Sequence, residues 1–325
     1  MISRRIFSTG TLFSVLSATV GLPVHADTFP DRPIKLVVPF TAGGITDNLA
    51  RVAGQYASKV LNQPIVVDNR PGAGGGLGAM TVAQATPDGY TVLLGTQGTQ
   101  ATNLALYKSL RYKDGDFRAV QGLMAIPNVL VVNASKPYKN LAELVAYAKK
   151  NPEALTYSSP GVGTGSHLAA ELFQTVAGIK LRHVSYRGSA PSITDLIAGN
   201  IDLSFDYPAT TVPHIKSGKL RAIAMTGLER VPVLPEVPTL SELGYAKATA
   251  ESWLGVFAPR ETPDAVMQKL QLAFAQSIED KGVQEKFVEF GGVPLRKSGK
   301  AFEAFVRDEV VRWEQVVKKS GATLD

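Results

Sequence analysis

The chain contains no cysteine, which excludes disulfides, thiolate chemistry and cysteine-based metal sites. No apolar run reaches the ~20 residues that a membrane-spanning helix needs. Lysine and arginine never gather into a dense cluster, and 34 basic residues exceed 28 acidic ones only mildly. The electrostatic footprint of a nucleic-acid-binding domain is therefore missing. Low-complexity tracts are absent too. What the chain does have is 325 residues, 45 % of them hydrophobic. That length and composition suit two domains with sizeable cores.

The first 26 residues read as a leader. Arg4 and Arg5 form its positive end, and 11–22 is a moderately apolar run rich in Ser and Thr. Val24-His25-Ala26 is a small-x-small cleavage site, so the mature chain is expected to begin at Asp27. Ser3-Arg4-Arg5-Ile6-Phe7 fits a twin-arginine export signal, and the same segment also fits a Sec signal. Either route implies a periplasmic product. Loss of the two arginines lowers the formal charge from +6 to +4, a mild excess that favours acidic solutes weakly through long-range attraction.

The stretch 33–52 organises the rest. Ile34 to Val38 is a β-branched run that predicts a strand, and Pro39 stops it. Gly43 and Gly44 permit a tight turn. Thr46 is positioned as an N-cap, with Asp47 in the first helical turn. Leu49, Val52, Ala53, Tyr56 and Val60 then recur at helical spacing. Such a strand–glycine–helix unit leaves N–H groups free at a helix start, where anions bind.

Strands and helices alternate onward, the pattern of an α/β fold. Strands are predicted at 64–67, 90–94, 129–132, 155–158, 181–186, 201–205, 220–225 and 253–257. Helices are predicted near 100–107, over 189–198 and over 300–319, with 95–99 as the exit loop of the third strand. Asn140 with Glu143 forms a capping box for another helix. Gly178 sits where a left-handed C-terminal glycine belongs, and Thr262-Pro263 opens a helix with proline in its first turn. The segment 161–166 repeats the first loop: glycines, hydroxyls, then a helix start, with Ser166 able to cap its own backbone.

Other motifs carry less. The loop 72–78 has the spacing G-x-G-G-G-x-G, which departs from the dinucleotide fingerprint G-x-G-x-x-G. A structural turn is the better reading, and no cofactor is expected. His167, His183 and His214 show no metal-ligand spacing, so no metal is expected. Ser166-His167 lacks the G-x-S-x-G elbow of hydrolases.

Taken in order, several motifs resemble one family across almost the whole mature chain. They are Pro33-Ile34 through Arg51, Asn69-Arg70-Pro71-Gly72-Ala73-Gly74-Gly75 and Pro87-Asp88-Gly89-Tyr90-Thr91. Gly161-Val162-Gly163-Thr164 with Ser166-His167-Leu168-Ala169, and Tyr186-Arg187-Gly188-Ser189-Ala190-Pro191, continue the series. Phe205-Asp206, Leu234-Pro235-Glu236-Val237-Pro238-Thr239 and the segment 253–263 complete it. The chain resembles the Bug receptors, extracytoplasmic solute-binding proteins of tripartite tricarboxylate transporters. Ala42 stands where that family often has proline.

The resemblance implies a two-lobed periplasmic binding protein, a Venus flytrap, each lobe a mainly parallel sheet flanked by helices. It implies 27–126 as the first part of lobe 1, 127–251 as lobe 2 and 252–325 as the return to lobe 1. Its ligands are small carboxylates: di- or tricarboxylates, acidic amino acids or aromatic acids. They are held through backbone N–H groups and bridging waters more than through an arginine. The expected site combines Phe40, Thr41, Gly43, Gly44, Thr46 and Asp47 of the first loop with Thr96 and Gln97 after the third strand. Gly163, Thr164 and Ser166 face them from the second lobe. Asp206 matches an acidic cleft residue that serves an ammonium, a hydroxyl or a water. The reading is a monomeric, non-enzymatic receptor whose partner is a membrane permease or a sensor ectodomain. The alternatives are a secreted α/β hydrolase using Ser166, His167 and an aspartate, and a cytoplasmic dinucleotide enzyme.

Overall fold

The computed structural model describes residues 29–186, 188–321 and 323–324. The leader, and Arg187, lie outside the described residues.

Eleven strands form two sheets among the described residues. The first contains β1 (Ile34–Val38), β2 (Ile65–Asn69), β3 (Thr91–Thr96), β4 (Phe117–Pro127), β10 (Glu251–Pro259) and β11 (Val293–Pro294), in the order β11-β4-β10-β3-β1-β2. The second contains β5 (Val129–Asn133), β6 (Thr156–Ser159), β7 (Arg182–Ser185), β8 (Leu203–Asp206) and β9 (Leu220–Met225), in the order β7-β6-β8-β5-β9. Both sheets are mixed rather than mainly parallel: β4, β10 and β11 pair antiparallel in the first, and β5 runs antiparallel to β8 and β9 in the second. The strands that break the parallel pattern include those next to the crossings. Of these, β5 and β10 enter their sheets from the other lobe and not through a helical crossover on their own sheet.

Among the described residues ten α-helices pack on these sheets: α1 (Ile45–Leu61), α2 (Gly76–Ala83), α3 (Asn103–Leu106), α4 (Leu141–Lys150) and α5 (Gly165–Ala177), then α6 (Ser189–Ala198), α7 (Pro208–Lys216), α8 (Asp264–Glu279), α9 (Lys281–Phe290) and α10 (Gly299–Ser320). Asn140 caps α4 as its spacing predicts, accepting from the Glu143 N–H at 2.9 Å. Gly178 closes α5 at φ 64°. Pro263 is the N-cap of α8, one position ahead of the first helical turn.

The chain passes between sheets at Asn128 and returns between Met225 and Glu251. The two passages lie side by side. Thr226 Oγ1 accepts from the Asn128 N–H at 2.8 Å, and the Thr226 N–H donates to the Asn128 carbonyl at 2.9 Å. One apolar cluster lies within the first lobe around β1, α1 and α8, and another within the second around β5 and β9. A third spans both lobes, joining Leu106 and Trp253 of the first to Leu168 and Phe173 of the second. The last helix closes this shared core. Glu309 of α10 accepts from the indoles of both Trp253, at 2.9 Å, and Trp313, at 2.8 Å.

Candidate functional site

A cavity of about 270 Å³ lies between the two lobes. Its walls come from Phe40, Ile45 and Thr46, from Thr96 to Gly98, and from Val162 to Gly165. Leu106, Tyr107, Ile126, Tyr207, Ser252 and Leu254 complete much of the rest. The lobes touch across it. A Cβ on Gly163 would lie 2.2 Å from Leu106, and one on Gly165 would lie 2.2 Å from Ser252 Oγ. Next to α9, Pro208 packs as closely on Gly291. Glycine is needed at 163 for this approach and also for its φ of 78°.

Helix starts converge on this cavity. In α1 the N-cap is Gly44, and Asn48 is the first residue whose N–H joins the helical ladder. The N–H groups of Ile45 and Thr46 therefore have no intrahelical acceptor. Thr46 is thus inside the helix and not its cap, because the extended φ/ψ of a cap residue falls at Gly44. In α5 the N-cap is Thr164, whose Oγ1 accepts from the His167 N–H at 3.3 Å. This leaves the N–H groups of Gly165 and Ser166 without an intrahelical partner.

The third start was not legible as one. The helix after β3 begins at Gln97, three residues earlier than its sequence suggests, because residues 98–102 form a π-helical turn that runs into α3. Thr96 and Thr99 cap it reciprocally: each hydroxyl accepts from the other's N–H, at 3.2 and 3.0 Å. Wide turns of this kind recur at functional sites. Two threonines three residues apart, Thr96 and Thr99, were the available signal.

Six of the expected site residues line the cavity: Phe40, Thr46, Thr96, Gln97, Gly163 and Thr164. The others lie elsewhere. Thr41, Gly43 and Gly44 are exposed beside it. Asp47 is buried and turned to its own loop, accepting from Gly43 N–H, Asn69 and Arg51. Burial alone would raise the Asp47 pKa, but these donors outweigh it and hold the carboxyl below its usual value. Ser166 is buried, and its hydroxyl donates to Asn128 at 2.9 Å, which ties α5 to the interlobe passage. It does not cap its helix.

Asp206 is fully buried outside the cavity lining. Its Oδ1 accepts from the Ser189 and Thr210 hydroxyls and from the Tyr207 N–H, which joins the starts of α6 and α7. Burial pushes its pKa up against these donors, and Oδ2 has no partner.

The N–H groups of the two loop glycines are also occupied. Gly43 donates to Asp47 Oδ2 and Gly163 donates to His167 Nδ1, at 2.9 and 3.2 Å. His167 stacks on His183, ring centroids 4.3 Å apart, and burial holds both pKa values down to about 4. Ser166 and His167 therefore do not form a nucleophile–base pair, since the serine proton goes to Asn128 and His167 Nδ1 serves the loop. Arg70 pairs with Asp68 at 3.1 Å, away from the cavity.

The described lining residues include no lysine, arginine, aspartate or glutamate. The site's polar capacity is carried by backbone N–H groups, hydroxyls and amides. Gln97 is the sharpest case: it is 3 % exposed, and its amide nitrogen is buried without an acceptor. A buried donor left unpaired costs free energy that an arriving acceptor restores.

A family model described as "Tripartite tricarboxylate transporter family receptor" matches residues 49–322. The chain is 36 % identical to protein BugT of Bordetella pertussis over 312 residues, covering 95 % of this chain and 96 % of the relative. Among solved structures it is similar to the periplasmic binding protein BugD, with 36 % identity, a TM-score of 0.74, and coverage of 91 % of this chain and 99 % of the other. Rpa4515 of R. palustris, solved with adipate, is 37 % identical with a TM-score of 0.78, and 91 % and 100 % of the two chains are covered. MatC of Rhodopseudomonas palustris, solved with bound malate, is 33 % identical with a TM-score of 0.74, and 89 % and 100 % are covered.

Proposed function

The chain belongs to the tripartite tricarboxylate transporter receptor family, and on that premise we propose that it captures a small carboxylate in its interlobe cavity for uptake or sensing. The observation that carries this reading is the unpaired Gln97 amide nitrogen, buried in a wall that also holds three helix starts. Each start brings N–H groups and a partial positive charge to the same space. A carboxylate accepting several such bonds needs no salt bridge, because hydrogen bonds to an ionised acceptor are already strong. Similar chains solved with adipate and malate support a carboxylate class.

Capture works by closure about the passages at Asn128 and Thr226, which bring Gly163 and Gly165 onto Leu106, Gln97 and Ser252. Among the described residues no helix is long and apolar enough to cross a membrane. The expected leader, a periplasmic location, a monomeric state and handover to a permease or a sensor ectodomain belong to the same proposal. No chemical step on the ligand is part of it.

The test is calorimetry with a panel of carboxylates and their primary amides. At least one acid should bind, with its amide at least tenfold weaker. Equal affinity of acid and amide would overturn the carboxylate reading.

A further inference from the structure

We infer that the ligand of this cavity carries a single carboxylate on an apolar body, so that monoanions are preferred over the dicarboxylates found with similar chains. The inference rests on the carboxylate reading above and adds to it the orientation of the ligand.

The helical segment 97–106 runs along the cavity. Gln97, Gly98, Thr102, Asn103 and Leu106 all line it, as does the helix end at Tyr107. Lining residues thus occur at both ends of this one element. Its start lies beside that of α5. Gln97 Oε1 is 3.2 Å from the position that a Cβ on Gly165 would take, which places the starts of two helices together. The unpaired, buried Gln97 amide nitrogen is at this end too. One negative charge is well served here.

The opposite end has another character. Leu106 and Tyr107 close the helix, and Leu106 packs on Gly163. Leu324, which donates its N–H to the Leu106 carbonyl and bridges Tyr107, is further apolar lining at this end. A helix C-terminus carries a partial negative charge, which repels an anion instead of holding it. No described lining residue offers a cation there. A second carboxylate would be taken from water into apolar surroundings at the wrong end of a helix, with no partner to offset the loss. An aromatic or aliphatic body would bury its surface at the same place.

Matched pairs test this by calorimetry on the full mature chain at pH 7.5: hexanoate against adipate, and 4-methylbenzoate against terephthalate. Each pair keeps size and shape while changing the second charge. The monoacid should bind at least tenfold tighter in the pair that binds. A diacid that binds as tightly as its monoacid, or tighter, would overturn the inference and leave the carboxylate reading standing. Failure of all four acids would overturn both. A variant gives an independent arm. Tyr107→Lys places a cation at the apolar end on a half-buried position and should shift the diacid-to-monoacid affinity ratio at least tenfold toward the diacid. A folded variant with an unchanged ratio would count against the assigned orientation.

Discussion

Gln97 illustrates how a single residue can serve binding at the cost of stability. Its amide nitrogen is buried without an acceptor among the protein's own groups. Gln97→Leu should therefore lower carboxylate affinity at least tenfold while leaving the urea midpoint unchanged or slightly higher, because the unpaired donor is gone. Glu309 is the opposite case, since one carboxylate oxygen satisfies the indoles of both tryptophans in the chain. Glu309→Leu strands two buried donors and should cost about 2–6 kcal/mol in urea unfolding, at 1–3 kcal/mol for each. His167 and His183 set a pH dependence. Burial holds both pKa values near 4, below the unfolded value of about 6.5. The unfolded chain thus binds more protons between these limits. Stability from this pair is complete above about pH 6.5 and is lost as pH falls toward 4. Urea unfolding at pH 7.5 and pH 5 should show this loss, and His183→Gln should reduce its slope.

At the scale of elements, the two glycine loops look equivalent in sequence and differ in the fold. Gly43 and Gly163 both adopt positive φ, at 86° and 78°. Each donates its N–H to a side chain four residues on, Asp47 or His167. Their surroundings separate them. A Cβ on Gly43 meets nothing within 4 Å, whereas one on Gly163 collides with Leu106 of the facing lobe. Gly43→Ala should cost only backbone strain, about 1–2 kcal/mol of stability, with affinity nearly kept. Gly163→Ala should carry the same strain and also hold the lobes apart, so affinity falls at least tenfold. Calorimetry and urea unfolding on the two variants separate these effects. Similar losses of affinity in both would show that Gly163 has no special part in closure.

For the whole molecule, ligand and closure are linked through the shared core. Leu106, Trp253, Leu168 and Phe173 lie in one apolar cluster drawn from both lobes, so closing buries surface that opening exposes. A ligand that binds only the folded chain stabilises it by about 2.7 kcal/mol at a hundredfold excess over Kd. For a chain of this size the melting temperature should rise by about 4 °C. Differential scanning fluorimetry with the acid that binds most tightly checks this, and a shift equalled by its amide would contradict the assigned chemistry.

Much of the architecture was legible because it depends on local signals. Ile34 to Val38, Leu220 to Met225 and residues 189–198 occupy the elements their patterns predict, since periodicity and bounding glycines act within a few residues. Capping at Asn140 and the left-handed Gly178 follow from side-chain and backbone chemistry of the same range. The order of motifs also carried the family. What the sequence could not convey was the direction in which each polar group points. Thr46 and Ser166 have the right composition for caps, yet Gly44 and Thr164 cap the helices, because the chain's path decides which residue is extended. Asp206 is acidic and close in sequence to Tyr207 of the cavity wall, but it turns to hold α6 and α7 together. The start at Gln97 arises from a π turn for which residues 97–102 give no periodic signal. Sequence by itself determined the elements, the glycine loops and the family, all of which rest on neighbours along the chain. Only the tertiary structure decided which N–H groups remain free and which end of the cavity is apolar, because both depend on residues that meet across two lobes.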